Sequence, residues 1–468
     1  MKGIVGFFRL ERDMRAPLLA AALVRLSLMI AAYALTGTQV MTQGDTVSYL
    51  EPGLNLLRHG IFASGGQLEI DRTPGYPLFA VFTGMAFGNV LLTVAAQILV
   101  SLASMLVLRR IADHVYLDRR FGRHAAWIYA FEPLSIVLTV RVMPETLFVL
   151  FLLLAIERVL AFEATLKLRY LAVGGTLLAA ATYVRPVGWY LGFLLAAGLA
   201  IAMKRPQMRW KAPAVLLLSC IPWVAAWQVR NAVETGYTGF SSIVETNLYF
   251  FQSAEITAEL QHISIESEQR KLGYLDDAAY FAMHPEQRAW PRFERLRSMR
   301  TQSTKILAEH PALYLKSHLK GVAVVAFSPC ATEWLQLLGL YPNPESMPRR
   351  ILNEGIEASV KRIVLAHPGV MLAMAVFAAF LLALYLLAIR GFVRTPQNRH
   401  AAITLLGVAL YFLFIAGGAQ AVGRYRAPVM PILCLFAAAG LPALADKKCG
   451  ATWAPRRDRS RYVGDKLS

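Results

Sequence analysis

Long apolar runs separated by short polar stretches dominate the chain. Runs at 16–36, 78–108, 124–140, 146–162, 170–184, 187–203 and 212–230 fill its first half, and runs at 367–389, 400–416 and 427–444 close it. Segments this long and this poor in charge predict helices that cross a bilayer, about ten in all. One stretch departs from the pattern: about 312–328 is apolar but short and carries Lys316, His318 and Lys320, which predicts an interfacial or re-entrant helix. Between the first two runs, Asp45 and Tyr49 are spaced to share a helix face, with Leu50, Leu54 and Leu57 on an apolar side, as in an amphipathic helix lying on a membrane. Thr73-Pro-Gly-Tyr-Pro77 then predicts a rigid turn. The expected fold is an all-α polytopic membrane protein. Its transmembrane core spans 1–230 with a first outer loop at 37–77, followed by a mostly helical outer region at 231–366, C-terminal spans within 367–446 and a basic tail at 447–468.

Composition supports lipid burial. The chain is 56% hydrophobic and 17% charged, against about 45–50% and about 25% in an ordinary soluble domain. The net charge of +18 does not imply nucleic acid, because Lys and Arg sit in short clusters between apolar runs, as cytoplasmic loops do. Lys2, Arg9, Arg12 and Arg15 precede the first run, and Arg109, Arg110, Arg119, Arg120 and Arg123 follow the second. Further clusters at Lys204–Lys211, Arg390–Arg399 and Lys447–Arg461 place both termini in the cytoplasm. Cys220, Cys330, Cys434 and Cys449 show no short-range pairing pattern, which argues against a disulfide framework or a zinc site. The basic N-terminus and the run after it lack a cleavage site, so this run is expected to stay as a span.

On that topology the remaining charges collect at one face. Asp45, Asp71, Arg72, Arg141, Glu145, Arg185, Arg424 and Arg426 all fall at outer span ends or in outer loops. Arginine is depleted there by the positive-inside rule, so several together call for an anionic ligand. A guanidinium presents a planar fork of donors suited to phosphate oxygens and stays charged at the low-dielectric edge of a bilayer. The implied ligand is a phosphate held at membrane level, with Asp45 and Glu145 pairing with those cations or with substrate hydroxyls.

Gly44-Asp-Thr-Val-Ser-Tyr49, Leu56-Leu-Arg-His-Gly60-Ile-Phe62, Arg72-Thr-Pro-Gly-Tyr-Pro77, Met143-Pro-Glu-Thr-Leu-Phe148, Arg185-Pro186 and Gly423-Arg-Tyr-Arg-Ala-Pro428 together resemble the GT-C membrane glycosyltransferases. These include the protein O-mannosyltransferases and the bacterial lipid A aminoarabinose transferase. The likeness covers the first 200 or so residues well and the last three spans moderately. It implies a GT-C-like bundle in the bacterial inner membrane. Such an enzyme takes a sugar from a polyprenyl-phosphate carrier at the outer leaflet and passes it to a hydroxyl of a lipid, glycan or protein acceptor. Asp45 matches the family's first-loop carboxylate, Asp71-Arg72 the acid-base pair before the proline turn, and Glu145 the acid of the second outer loop. Many members carry a second acid beside the first-loop Asp, where this chain has Thr46. No cofactor is required by the sequence, and a divalent metal is unsupported by that route.

The chemistry implied is an inverting displacement with Asp45 as general base, Glu145 orienting the sugar or Asp45, and Arg72, Arg185 and Arg424 as candidates for the phosphate. Arg141, Tyr425 and Arg426 are further substrate-binding candidates, as are Tyr49 and Tyr76 if they stack on a sugar. Each has a plainer reading. Asp45 follows Gly44 and can cap the helix it precedes; Glu145 can pair with Arg141; Arg185 can snorkel to the interface. Arg424 and Arg426 can meet lipid headgroups, and Tyr49 and Tyr76 can belong to an aromatic belt. Glu132, mid-run beside Pro133, is either functional or a hydrogen-bonded structural acid. His310-Pro311 and His367-Pro368 begin apolar helices as caps would. The alternative function is a transporter or flippase of lipid-linked sugars, although such proteins place charges near the bilayer midplane and show paired half-repeats.

Overall fold

The computed structural model describes residues 12–341, 368–394 and 396–442. Lys2, Arg9, His367, residues 342–366 and the basic tail from Lys447 lie outside them. Among the described residues the protein is almost wholly helical. α1 (Arg15–Thr36) leads through a short 3-10 turn to α2 (Thr46–His59), followed by a two-stranded ribbon of β1 (Ala63–Ser64) and β2 (Gln67–Leu68). Its strands are antiparallel, with Ala63 opposite Leu68. Gly65 and Gly66 join them with φ of 56° and 74°, the left-handed pair that a tight two-residue hairpin demands.

Next come α3 (Gly75–Thr83), α4 (Val90–Val115), α5 (Arg120–Ala130), α6 (Pro133–Val140), α7 (Glu145–Thr165), α8 (Arg169–Val184), α9 (Gly188–Ala202) and α10 (Pro206–Thr235). A layer of short helices between 243 and 289 follows, including a π-helical turn at Leu248–Ser253. The described chain then continues as α11 (Arg292–Glu309), α12 (Pro311–Phe327), α13 (Ala331–Leu337), α14 (Pro368–Arg394), α15 (Arg399–Ile415) and α16 (Met430–Gly440). The core lies where α7 packs on α4 and α8, α8 on α10, and α16 on α5 and α14. α1, α4, α10 and α14 are each long and apolar enough to cross a membrane, and α9, α15 and α16 are apolar but shorter.

Two apolar runs that read as single spans are broken. The run at 78–108 is α3 and then α4, interrupted by a 3-10 turn between Gly84 and Gly88, and Asn89 caps α4 by accepting the amide of Leu92. Gly84 is obligatory there, since a Cβ would sit 2.4 Å from the Asn89 carbonyl oxygen. The run at 124–140 breaks at Phe131–Glu132, with Pro133 starting α6. Glu132 accepts the amides of Leu134 (2.8 Å) and Ser135 (2.6 Å), so it is the buried cap of α6. The opposite side of the break is closed by Arg25 of α1, which is fully buried. It donates to the carbonyls of Ala130 (3.1 Å) and Tyr129 (3.4 Å) and to the hydroxyls of Ser101 (3.1 Å) and Ser135 (3.3 Å). A helix can break in an apolar surround only if its freed backbone groups find partners, and these two side chains supply them.

The stretch at 312–328 forms α12, a helix of 17 residues. α12 starts beside the short helix Ala254–Gln261, where Lys316 pairs with Glu259 and Ser317 donates to Glu255. It ends against Tyr385, partway along α14, whose hydroxyl donates to the Ala326 carbonyl at 2.8 Å. The chain turns at Cys330, with φ of 57°, and α13 returns to the end of α1, where Thr36 donates to the Leu337 carbonyl at 3.0 Å. Pro311 begins α12, but His310 makes no side-chain cap.

Replacing Arg25 with Met strands several carbonyls in the core and should destabilise the fold by about 3 kcal/mol. Thermal unfolding in detergent checks this, and a melting temperature unchanged from wild type would show that the break is closed by other means.

Candidate functional site

Loops from four parts of the chain meet at one end of the bundle. The first loop is tied to the α6–α7 loop by a backbone bond from Val142 to the Met41 carbonyl (2.9 Å) and by the Thr46 hydroxyl, which donates to the Val142 carbonyl (3.0 Å). This aims Asp45, at the start of α2, toward Glu145, at the start of α7. Asp45 occupies the cap position of α2 but makes no cap hydrogen bond. Its carboxylate instead pairs with Arg424 and lies 3.6 Å from Arg72, which removes the cap reading. The Asp45 side chain keeps 39% of its surface exposed.

Glu145 is the buried counterpart, 1% exposed. One of its oxygens accepts from Arg185 at 2.9 Å and lies 3.9 Å from Arg424. Its other oxygen is buried without a hydrogen-bond partner. Its ion pair is therefore with Arg185 at the end of α8, not with Arg141. Arg424 thus stands between the two carboxylates, and Tyr425 is flanked by Arg185 and Arg424, whose guanidinium carbons lie 5.2 and 5.4 Å from its ring. Arg72 stacks over Tyr49 at 4.4 Å, donates to its hydroxyl at 3.1 Å and to Ser48 at 3.0 Å. Three guanidiniums and two carboxylates form the cluster, an excess of one positive charge.

Four expected substrate contacts point elsewhere. Arg426 is buried and donates to the carbonyls of Val325 (2.7 Å), Ala326 (2.9 Å) and Ser328 (2.8 Å), so it closes the end of α12. Tyr76 is fully buried beneath Tyr49, in edge contact with it, and donates to Gln97 at 2.7 Å. Neither tyrosine sits in an exposed aromatic belt. Asp71 turns away and pairs with Arg292 of α11 at 2.7 Å. Arg141 spends its hydrogen bond on Gln336 of α13 at 2.8 Å, although Arg424 and Glu145 lie within its electrostatic reach. Gly423, just before Arg424, packs on the bend between α12 and α13, where a Cβ would come within 2.5 Å of the Cys330 sulfur.

No family model matches the chain, and no curated protein matches it in sequence. Among solved structures it is similar to an oligosaccharyltransferase, AglB, of the archaeon Archaeoglobus fulgidus. In the complex of that protein with an inhibitory peptide and a dolichol-phosphate, identity is 13% over 90% of this chain and 49% of the other, with a TM-score of 0.47. Its apo form gives 13% identity, 92% and 50% coverage and a TM-score of 0.46. The chain spans about half the length of these structures.

Several residues that build the site escaped the sequence reading. Gln97 of α4, fully buried, donates to the carbonyls of Thr139 (2.8 Å) and Arg141 (2.7 Å), fixing the α6–α7 loop. A lone amide in an apolar run was its signal. Ser48 and Glu69 carried none beyond proximity to Asp45 and Arg72. Thr46 is fully buried with its hydroxyl on two carbonyls, so it offers nothing to a metal. Among the described residues no group of three or more His, Cys, Asp or Glu side chains is placed to hold one.

Burial pulls the Asp45 carboxyl up, but Arg424 and then Arg72 pull it down further, leaving it below the usual carboxylate range. A carboxyl lowered on folding stabilises the fold above its unfolded value, and that contribution is lost as pH falls through the folded one. The melting-temperature gap between wild type and Arg424→Gln should therefore be widest above about pH 5 and narrow below about pH 4. A gap independent of pH would show that Arg424 does not govern this acid.

Proposed function

We propose that the cluster binds the phosphate of a polyprenyl-phosphate sugar at the outer face of a bacterial inner membrane and that the protein transfers this sugar to an acceptor hydroxyl. The observation that carries the reading is the convergence of Arg72, Arg185 and Arg424 on Asp45 and Glu145. The surplus charge of one matches a phosphate diester, which bears a single negative charge, and fits a diphosphate link less well. The order of motifs shared with GT-C glycosyltransferases supports the same donor.

In the displacement, the acceptor oxygen forms a bond to the anomeric carbon while the bond from that carbon to the phosphate oxygen breaks. The acceptor proton passes to Asp45, and the electron pair of the broken bond stays on the departing phosphate. Arg424 and Arg72 neutralise the charge that grows there. The free-state ion pair supplies the control. A donor phosphate competes with Asp45 for Arg424 and Arg72, and as they move to the phosphate, the burial that raises Asp45 is left less opposed. Donor binding thereby makes the carboxylate a better base. Glu145 pairs with Arg185 and lies beside Arg424, which keeps both cations at the site.

Purified protein incubated with a synthetic polyprenyl-phosphate sugar and an envelope extract as acceptor should release polyprenyl phosphate. Asp45→Asn and Arg424→Ala should each lower the rate by about a hundredfold or more. Movement of the intact lipid across vesicles without release would make the protein a flippase instead.

A further inference from the structure

The turn at 69–72 has two ends. Glu69, buried, accepts the amides of Asp71 (2.6 Å) and Arg72 (3.0 Å), folding the segment back on itself. The two side chains that follow then leave in opposite directions. Arg72 enters the cluster to meet Ser48, Tyr49 and Asp45. Asp71 faces the helical layer above, where it accepts from Arg292 at 2.7 Å and from the Ser242 hydroxyl. The backbone is pinned on the same side: Ser241 donates to the Asp71 carbonyl, the Ser242 amide to the Ile70 carbonyl (2.9 Å), and Arg292 to the Leu68 carbonyl (3.4 Å). Arg230 of α10 holds the near side through the Glu69 carbonyl at 2.8 Å.

We infer that Arg292 is a positioning residue for the phosphate-binding cation Arg72, acting through Asp71 and the Glu69 turn without touching the cluster. The inference rests on the reading of the cluster as a phosphate site. Its physical basis is that a long cationic side chain loses rotamer freedom when it is held in one place, a cost that a rigid base reduces. With Arg292 removed, that face of the turn loses its ion pair and keeps only the hydrogen bonds from Ser241 and Ser242, and Arg72 samples positions outside the cluster. α11 then sets, through Arg292, where one of the donor's cations stands.

The test uses the full chain in lipid nanodiscs, a short-chain polyprenyl phosphate as probe, and the variants Arg292→Ala, Arg292→Lys and Asp71→Asn. Calorimetric titration should show the probe binding about fivefold more weakly to Arg292→Ala and Asp71→Asn, with most of the affinity restored in Arg292→Lys. In the transfer assay the same variants should raise the donor KM and leave kcat near wild type, which a general loss of folded protein would not do. Hydrogen exchange at the amides of Asp71 and Arg72, measured without any ligand, should quicken in Arg292→Ala while exchange in α4 and α7 stays unchanged. Wild-type affinity in Arg292→Ala overturns the inference, as does unchanged exchange at those two amides. If wild type itself fails to bind the probe, the phosphate reading falls, and the exchange result still decides whether Arg292 holds the turn.

Discussion

A charge at the edge of a low-dielectric bundle must be matched by another, and the pairing of Asp45 with Arg424 is where this protein meets that requirement. The two residues are 379 positions apart. Their contact requires the loop after α1 and the loop before α16 to face each other, so the C-terminal helices must pack beside the N-terminal ones. α16 does so, lying against α5 and α14. Glu145 and Arg185 repeat the pairing one layer deeper, with Arg424 close enough to serve both acids. Each charge is tolerable because the others are present, and the surplus cation is what the site has to offer a ligand.

Arginine plays a second part in the same fold. Arg25 and Arg426 never see the cluster; each is buried and spends its donors on the carbonyls left open where a helix stops inside the bundle. A guanidinium suits this role for the same reason that it suits phosphate, since its fixed fork of donors reaches several acceptors at once and complements the negative end of a helix. The contrast between Arg424 and Arg426 is sharp. They lie two residues apart in one 3-10 turn, and their side chains serve a candidate binding site and a helix end respectively.

The all-helical class and the gathering of Asp45, Arg72, Glu145, Arg185 and Arg424 were legible in the chain because lipid imposes simple rules on length, apolarity and the side on which basic residues lie. The breaks were less legible. Gly84, Gly88 and Pro133 all mark them, but an unbroken apolar run outweighs a single turn residue until the partner that repairs the backbone is known, and for Pro133 that partner is Arg25, far away in sequence. The directions of Asp71, Tyr76 and Arg426 were not legible either. Which way a side chain leaves a tight turn depends on what awaits it, here Arg292, Gln97 and the end of α12, and none of these is a neighbour in the chain.

Gly423 sits against Cys330 at the bend between α12 and α13, with no room for even a methyl group. The segment that carries Arg424 is therefore tied to the bend both by this packing and by Arg426, two residues on, which bonds the carbonyls at the end of α12. Neither can be displaced without unpacking the other, so the bend belongs to the framework that holds the cation between the two carboxylates.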